Sequence, residues 1–307
     1  MIKRFKNGSY DIAYITQGKG RDILFLHGFP SNMYMWDEIT GVLSHQDYRT
    51  TVIEQRGYPL SFSEEMRPND FTIDKLSEDV EILIKNLDLS NKLTIVGHDW
   101  GTVVAWALVK RNRVHVEKLL SICGGTLFPS SKVYDSLNYI DGNHYITSFQ
   151  NPEKAAILMN ENIRNSILGA YRTKNKETNA SLSINSLFND INHDQYALTE
   201  KQIDNITSHY KANGFYGPIS WYANLDENIE ISKKWINNKV SQEITFMFGE
   251  KDLAVMLNEK MIERLTSEAD LVKIKEISGA GHWLPYTHKE SVLNEIYSLN
   301  NDYKYVL

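Results

Sequence analysis

The chain has 307 residues, enough for one large α/β domain or for two smaller units. Lys and Arg total 33 and Asp and Glu total 39, so the formal net charge is −6 and no excess of positive charge points to nucleic acid or to an anionic membrane surface. The content of 42% hydrophobic and 23% charged residues is typical of a globular protein with a packed core, which excludes disordered, collagen-like and coiled-coil chains.

Short β-branched runs alternate with longer helical patterns over the first part of the chain. Apolar residues recur at three- and four-residue spacing in two segments, which predicts helices over 73–87 and 102–110. Strands are predicted over 10–16, 22–26, 50–54, 92–96 and 118–122. Strands that alternate with helices at this spacing indicate parallel βαβ units, with the earliest strands forming a small antiparallel entry.

The second half of the chain changes character twice. Residues 129–225 are rich in Asn, Ser and Tyr and show helical patterns without strong strand runs, whereas 243–248 and 271–277 again predict strands and 289–299 a final helix. We therefore predict an α/β fold with a mostly parallel, doubly wound sheet, formed by residues 1–127 and 226–307. A helical cap over 128–225 interrupts it, and such insertions commonly lie over the carboxyl ends of the strands.

The segments that direct a protein to a compartment or a membrane are not evident in this sequence. The first ten residues are polar and charged, without an apolar stretch, and no run of about 18 apolar residues occurs. The single cysteine, Cys123, excludes an intrachain disulfide and a site built from several thiolates. We expect a cytoplasmic protein that does not bind a membrane.

Tyrosine is the most frequent aromatic residue, with 17 Tyr against 11 Phe and 6 Trp. A buried tyrosine hydroxyl usually needs a hydrogen-bond partner, so the excess indicates a wet or functional apolar cavity. Tyrosines on the surface would explain the same count, and composition alone leaves both explanations open.

The most informative motif is Gly97-His98-Asp99-Trp100-Gly101, which joins a buried strand run directly to a helix. Its Gly-x-Asp-x-Gly spacing is that of a nucleophile elbow, a strained turn that needs small residues two positions either side of the exposed middle residue. The alternative for Asp99 is an ordinary helix N-cap, since aspartate commonly caps the orphan amides there.

Three further segments favour the catalytic interpretation. His27-Gly28-Phe29-Pro30 ends an earlier strand, and in such an architecture the backbone N–H groups of Phe29 and Trp100 form an oxyanion hole. Asp252 follows a later strand, and His282 follows the last strand between Gly281 and Trp283. Nucleophile, acid and histidine in this order are typical of α/β-hydrolases.

These motifs resemble the branch of α/β-hydrolases that contains epoxide hydrolases and haloalkane dehalogenases, whose nucleophile is an aspartate. The segments around His27 and Asp99 match the epoxide hydrolase pattern closely, and those around Asp252 and His282 resemble it too. A carboxylate is already ionised and can displace a leaving group from an sp³ carbon, so Asp99 would form an alkyl ester. His282, oriented by Asp252, would then activate a water, and a serine esterase is disfavoured.

The resemblance also implies a pair of cap tyrosines that protonate the epoxide oxygen. Tyr145 precedes Phe149, Gln150 and Pro152 as the first tyrosine does in the family, and Tyr222 in Gly-Pro-Ile-Ser-Trp-Tyr resembles the second. Some members use a histidine first, so His144 is an alternative to Tyr145. Residues expected to bind substrate, taken from these same motifs, are His27, His144, Phe149, Trp221 and Trp283.

The sequence carries no motif for a cofactor or a metal. Residues 190–194 alternate oxygen ligands like the start of a calcium loop, but Gln195 stands where that loop needs glycine, so a solvated loop is expected. No nucleotide-binding fingerprint is present.

The hypothesis is therefore a cofactor-free epoxide hydrolase that acts on a small-molecule epoxide and water to give a vicinal diol. The alternatives are a haloalkane or haloacid dehalogenase with the same Asp99, His282 and Asp252 and a halide held by Trp100 and cap donors, and a hydrolase-fold ligand-binding protein without turnover. Assembly into a homodimer is left open.

Overall fold

The computed structural model describes residues 1–90, 92–126, 130–135, 138–139, 142–173, 182–188, 195–252 and 259–302. The segment with calcium-loop spacing, 190–194, lies outside these residues. Eight described strands form one sheet in the order β1-β2-β4-β3-β5-β6-β9-β10, and β7 and β8 form a separate pair. The strands are β1 (Lys3–Asn7), β2 (Tyr10–Gly18), β3 (Arg21–Leu26), β4 (Tyr48–Ile53), β5 (Thr94–His98), β6 (Lys118–Ile122), β7 (Asn138–Tyr139), β8 (Gly142–Asn143), β9 (Val240–Gly249) and β10 (Ala269–Ile277).

Pairing within the sheet is parallel from β4 through β3, β5, β6 and β9 to β10, which confirms the predicted fold class. The antiparallel pairs at the other edge are β1 with β2 and β2 with β4. The sequence analysis missed β1, because Lys3–Asn7 has a single large apolar residue, Phe5, and lies at the exposed edge. The carboxyl ends of the parallel strands meet at one edge of the sheet, where ligand sites form in such folds.

The helices cover the sheet and fill the interval between β6 and β9. Those of the described residues are α1 (Asp37–Ser44), α2 (Ile73–Asn86), α3 (Trp100–Arg111), α4 (Lys132–Asp135), α5 (Tyr145–Phe149), α6 (Pro152–Glu161), α7 (Ile163–Ala170), α8 (Ile184–Phe188), α9 (Glu200–Asn213), α10 (Tyr216–Ser220), α11 (Leu225–Ser232), α12 (Glu259–Glu268), α13 (Leu284–Thr287) and α14 (Lys289–Leu299). Short 3₁₀ turns occur at Met33–Trp36, Pro68–Phe71 and Tyr222–Asn224. None of these helices is long and apolar enough to cross a membrane.

The centre of the fold is the pair β5 and α3. Every residue of β5 is buried, as is α3 from Trp100 to Lys110, because β5 lies between β3 and β6 and α3 packs against both β5 and α2. A strand covered on both faces needs a continuous apolar run, which Thr94–His98 and its neighbours provide. The turn between β5 and α3 therefore joins two elements that are buried almost throughout.

The interval predicted as a cap contains helices α4 to α10 and the β7–β8 pair. Its side chains reach across to the sheet domain: Trp221 Nε1 donates to the carbonyl of Arg56 at 3.0 Å, and Asn224 Nδ2 donates to that of Pro68 at 2.7 Å. These contacts join the interval to the segment that follows β4. The division of the chain at residues 127 and 226 stays a prediction.

Candidate active site

Asp99 occupies the turn between β5 and α3, with φ of 53° and ψ of −122°. A positive φ strains a residue with a side chain, and the surrounding packing must hold it in place. The flanking glycines permit that packing: a Cβ on Gly97 would lie 2.8 Å from the backbone of Gly101, and one on Gly101 would lie 2.2 Å from the carbonyl of Leu26. The turn therefore requires glycine at both positions, as the elbow spacing predicts.

Two backbone amides converge on the Asp99 carboxylate. Phe29 N donates to Asp99 Oδ1 at 2.7 Å, and the amide of Trp100 also hydrogen-bonds to this carboxylate. A Cβ on Gly28 would lie 2.4 Å from Asp99 Oδ1, so glycine is needed for this close approach. These are the two donors that the sequence assigns to an oxyanion hole.

His282 lies between two carboxylates at the ends of three strands. Its Nδ1 is 3.1 Å from Asp252 Oδ2 and 3.2 Å from Oδ1, and its Nε2 is 3.8 Å from Asp99 Oδ2. The Asp252 carboxylate is buried and also accepts a hydrogen bond from the Cys123 thiol. The Nδ1 contact with Asp252 directs Nε2 toward Asp99, which is the orientation that a base acting at Asp99 needs.

The charges of this group are strongly coupled. Burial alone lowers the pKa of His282, but the Asp252 carboxylate and then Asp99 outweigh burial and raise it to about 9. Burial raises the pKa of Asp99, and the opposing effects of His282 and the two amides limit that rise. The two acidic side chains therefore favour the imidazolium form of His282 in the resting site.

Two phenols lie in the same cavity as Asp99. Tyr145 begins α5 and Tyr222 begins the 3₁₀ turn after α10. Their ring centroids are 5.8 Å apart, and a side-chain hydrogen bond joins the two residues. Burial raises the pKa of both phenols well above its usual value, so both stay protonated at neutral pH. Both can therefore donate a hydrogen bond or a proton.

The cavity that contains these groups has a volume of about 490 Å³. Asp99, Asp252, His282, Tyr145 and Tyr222 all contribute to its wall. Apolar parts of the wall come from Phe29, Pro30, Ala170, Leu182, Phe188, Ala197 and Trp283. A mostly apolar cavity with a few convergent polar groups is typical of a small-molecule site.

Comparisons with known proteins show the family to which this chain belongs. The model of a protein family described as "alpha/beta hydrolase fold" matches residues 23–289 of this chain. This chain belongs to the α/β hydrolase fold family. It is 25% identical over 296 residues to pig (Sus scrofa) bifunctional epoxide hydrolase 2, covering 93% of this chain and 52% of that protein. It is also 26% identical over 308 residues to mouse (Mus musculus) epoxide hydrolase 3, covering 97% and 76%.

Among solved structures, potato (Solanum tuberosum) epoxide hydrolase I superimposes on this chain with a TM-score of 0.84 at 22% identity, covering 98% of this chain and 99% of that chain. At this identity the likeness shows the fold alone. The α/β hydrolase spans about half the length of the first curated relatives that it matches.

The residues that the sequence assigns to substrate binding occupy two kinds of position. Trp283 lines the cavity, with its Nε1 donating to the carbonyl of Ala170 at 3.0 Å. The other four are not among the lining residues that the structure describes: His27, His144, Phe149 and Trp221. His144 and Phe149 contact the ring of Tyr145, which lines the cavity. His27 and Trp221 both contact the ring of Tyr58, which is not among the described lining residues.

His144 and Tyr145 are the two alternatives for the first donor to the epoxide oxygen. Tyr145 lines the cavity, whereas His144 caps α5, with Nδ1 accepting from the amide of Ile146 at 3.1 Å. The two rings stack with centroids 4.8 Å apart. Burial lowers the pKa of His144 to about 4, so this ring is neutral and directed at its own helix. The geometry favours Tyr145.

His98 is a site residue that the sequence analysis missed. It is buried, and its Nε2 donates to the carbonyl oxygen of His282 at 2.9 Å. Burial lowers the pKa of His98 to about 3, so the ring is neutral and can hold this single tautomer. The bond joins the residue before Asp99 to the backbone of His282, across β6 and β9, the two strands between β5 and β10. A polar residue inside an otherwise apolar strand run is the signal that could have identified it.

One group of described residues has the spacing of a metal site: the donor atoms of His98, Cys123 and His282 lie within 4.8 Å of one another. The contacts already given account for it. His282 faces Asp252 and Asp99 with its two ring nitrogens, His98 bonds to the His282 carbonyl, and Cys123 bonds to Asp252. The cluster is the inner side of the site, and it needs no ion to satisfy these contacts.

Proposed function

We propose that this chain is an epoxide hydrolase that adds water to a small-molecule epoxide and forms a vicinal diol. The observation that carries the proposal is the convergence of a carboxylate nucleophile, Asp99, and two protonated phenols, Tyr145 and Tyr222, on one cavity. An epoxide needs a nucleophile at carbon and a proton donor at oxygen, and this cavity supplies both. The named epoxide hydrolases among the relatives support the same activity.

In the first half-reaction, Asp99 attacks a ring carbon and the carbon–oxygen bond of the epoxide breaks. The electron pair of that bond goes to the epoxide oxygen, which takes a proton from Tyr145 or Tyr222. The product is an alkyl ester on Asp99. Because ester formation removes the negative charge of Asp99, it also removes one of the charges that hold the proton on His282. The proton that His282 then releases balances the one that the phenol has donated.

In the second half-reaction, neutral His282 takes a proton from a water that attacks the ester carbonyl carbon. The tetrahedral oxyanion develops on the oxygen held by the amides of Phe29 and Trp100. Collapse breaks the bond between the carbonyl carbon and the alkoxide, which takes the proton from His282 and leaves as the diol. The carboxylic acid of Asp99 then returns its proton to His282, which restores the resting ion pair.

A dehalogenase is the second candidate, because Asp99 could displace a halide by the same attack. A halide needs N–H donors, and the predicted one is the indole of Trp100. That side chain is 1% exposed and is not among the lining residues that the structure describes. The two phenols, in contrast, can transfer a proton to an alkoxide. These positions favour an epoxide over a halide, and the intact set of reacting groups disfavours a binding protein without turnover.

The deciding experiment is a substrate panel scored for two products. Styrene-type epoxides, aliphatic epoxides and haloalkanes are each incubated with the protein and with the Asp99→Ala variant, and diol and halide are measured. We expect diol formation that Asp99→Ala abolishes. Halide release without diol formation would establish the dehalogenase, and neither product would establish the ligand-binding protein.

Further properties belong to this proposal. The partners are a small-molecule epoxide and water, with residues 128–225 as the cap over them. A cytoplasmic location and the open choice of a homodimer stay predictions of the sequence.

A further inference from the structure

Two buried tyrosines outside the reacting group bond to the loop that carries the Phe29 amide. The hydroxyl of Tyr171, directly after α7, donates to the carbonyl of Pro30 at 3.0 Å. The hydroxyl of Tyr210, in α9, donates to the carbonyl of Ser31 at 3.2 Å. Both tyrosines are fully buried, and both come from the predicted cap. Two consecutive carbonyls of a sheet-domain loop are therefore satisfied from the other side of the site.

This loop is where the Asp99 carboxylate is held. Phe29 N donates to Asp99 Oδ1 at 2.7 Å, and Ser31 N donates to the carbonyl of Gly28 at 3.0 Å, which closes the loop into a turn. The Pro30 carbonyl shares a peptide group with Ser31 N, and the Gly28 carbonyl shares one with Phe29 N, so the bond from Ser31 N to the Gly28 carbonyl joins the two peptide groups. A shift of these carbonyls moves the amide relative to Asp99.

Tyr171 also contacts the segment that carries the histidine. Its ring stacks on Trp283 with centroids 3.9 Å apart and an interplanar angle of 24°. Trp283 follows His282, and its Nε1 donates to the carbonyl of Ala170, the residue before Tyr171. One cap segment, 170–171, is thereby joined both to the loop of the oxyanion amide and to the segment of the base.

We propose that Tyr171 and Tyr210 form a tyrosine clamp, whose two hydroxyls position the Phe29 amide for hydrolysis of the ester on Asp99. The clamp residues are positioning residues, since neither hydroxyl reaches the reacting atoms. The proposal rests on the proposed function, because it concerns the second half-reaction of epoxide hydrolysis.

The direction of charge transfer makes the two half-reactions respond differently. Alkylation discharges Asp99, so an amide bonded to its carboxylate stabilises the starting state at least as well as the transition state. Ester hydrolysis builds negative charge on the same oxygen, so the amide stabilises that transition state most. A loosened Phe29 amide should therefore slow hydrolysis and leave alkylation nearly unchanged.

The test uses Tyr171→Phe, Tyr210→Phe and the double variant, which keep the rings and remove only the hydroxyls. The matched control is Tyr48→Phe. Tyr48 is also buried, and its hydroxyl donates a hydrogen bond to Asp302. It begins β4 and therefore lies at the end of the parallel strands that is opposite to the cavity. Single-turnover mixing with an epoxide, followed by intact-protein mass spectrometry, gives the rates of ester formation and ester loss. Thermal unfolding of each variant is measured alongside.

We expect hydrolysis to fall about tenfold in each clamp variant and further in the double variant, since full removal of an oxyanion donor costs about 10²- to 10³-fold. Alkylation should stay within about twofold of the unmodified protein, so the ester accumulates. The Phe29 bond lowers the pKa of Asp99, so the acid limb of alkylation should also move to higher pH in the clamp variants. A purely structural role would move neither the ratio of the two rates nor this limb.

The outcomes separate the two proposals. If the unmodified protein forms no diol, the proposed function fails and the clamp fails with it. If the unmodified protein turns over but both rates fall together, or neither differs from Tyr48→Phe, the clamp alone is wrong. The two hydroxyls bond to different carbonyls, so each single variant tests the clamp by itself. If one of the two variants does not fold, the other still decides whether the clamp positions the Phe29 amide.

Discussion

The two sides of the cavity differ in the charge of their titratable groups. On the side of the strand ends, His282 lies 3.1 Å from Asp252 and 3.8 Å from Asp99, and the three groups hold net charge. On the opposite side, Tyr145 and Tyr222 are neutral, because burial keeps the pKa of each phenol well above its usual value. In the proposed reaction, the sheet side stores charge and the cap side supplies a proton to the epoxide oxygen.

This difference assigns each half-reaction mainly to one side. Alkylation needs the Asp99 carboxylate together with the phenols, whereas ester hydrolysis needs His282, Asp252 and the two amides. Substitutions of His282 or Asp252 and substitutions of the two cavity phenols should consequently separate the half-reactions in opposite directions, whereas the clamp tyrosines act on hydrolysis through the Phe29 amide. A single pattern of effects on both sides would show that the division is wrong.

The largest effect is expected for His282→Gln, which removes the base and keeps a side chain of similar size. Turnover should fall about 10³-fold, because a positioned base typically contributes 10²- to 10⁴-fold. Alkylation should continue to one equivalent per chain, and it is measured over a series of pH values because the loss of the cationic partner raises the pKa of Asp99 further. Intact-protein mass spectrometry should then show the mass of the protein plus one epoxide.

Asp252→Asn is the matched control for this variant, since it leaves the imidazole in place but removes the charge that directs it. It should accumulate the same ester with a smaller loss of turnover. An absence of any adduct in His282→Gln, with active unmodified protein, would remove the covalent ester from the mechanism.

How far the sequence predicts the site depends on whether neighbours in the chain or distant residues fix a position. The elbow is predictable, because Gly97 and Gly101 are required by contacts within about one turn of Asp99 and with the adjacent strand. The carboxyl ends of β9 and β10 follow from their apolar runs and from the shared edge of a parallel sheet. The edge strand β1 does not follow, since its side chains make little apolar contact.

Orientation toward the cavity is what motif and spacing leave open. His27 belongs to the same motif as Phe29, yet its Nε2 accepts from the amide of Gln55 at 3.1 Å and the ring is buried away from the lining. The excess of tyrosine predicts buried hydroxyls but not their partners. Tyr171 and Tyr210 bond to carbonyls far away in the chain, which no local pattern indicates.

The second effect concerns the cap side and is expected to be smaller. Tyr222→Phe should slow alkylation about 10- to 100-fold, because one of two proton donors is lost. Hydrolysis of the ester should be unchanged, so no ester accumulates, in contrast to His282→Gln. Tyr145→Phe should act in the same direction, and the double variant should lose more than either.

Tyr134→Phe is the control for a cap tyrosine that is not among the described lining residues, although its ring contacts His144 with centroids 4.9 Å apart. It should leave both rates near those of the unmodified protein. Equal alkylation rates in the unmodified protein and in the Tyr145 and Tyr222 double variant would exclude the phenols as acids.

The smallest expected effect is the difference between the pKa of His282 in the resting protein and its pKa when Asp99 carries the ester. In the resting protein, Asp252 and Asp99 together raise the pKa of His282 to about 9, so the imidazolium is the main form at neutral pH. Ester formation cancels the charge of Asp99 and leaves only that of Asp252, so the pKa of His282 must fall. Hydrolysis requires the neutral base, and its rate should rise with pH through this lower pKa and then level off.

A shift of about one pH unit is expected for the loss of one charge at this distance. NMR titration of the His282 ring in the resting protein gives the first value, and the pH profile of ester loss in single turnover gives the second. A hydrolysis profile centred at or above the resting value would mean that Asp99 does not control His282. The charge of His282 would then be independent of the ester. Ester formation would not be the event that converts His282 from the imidazolium to the neutral base.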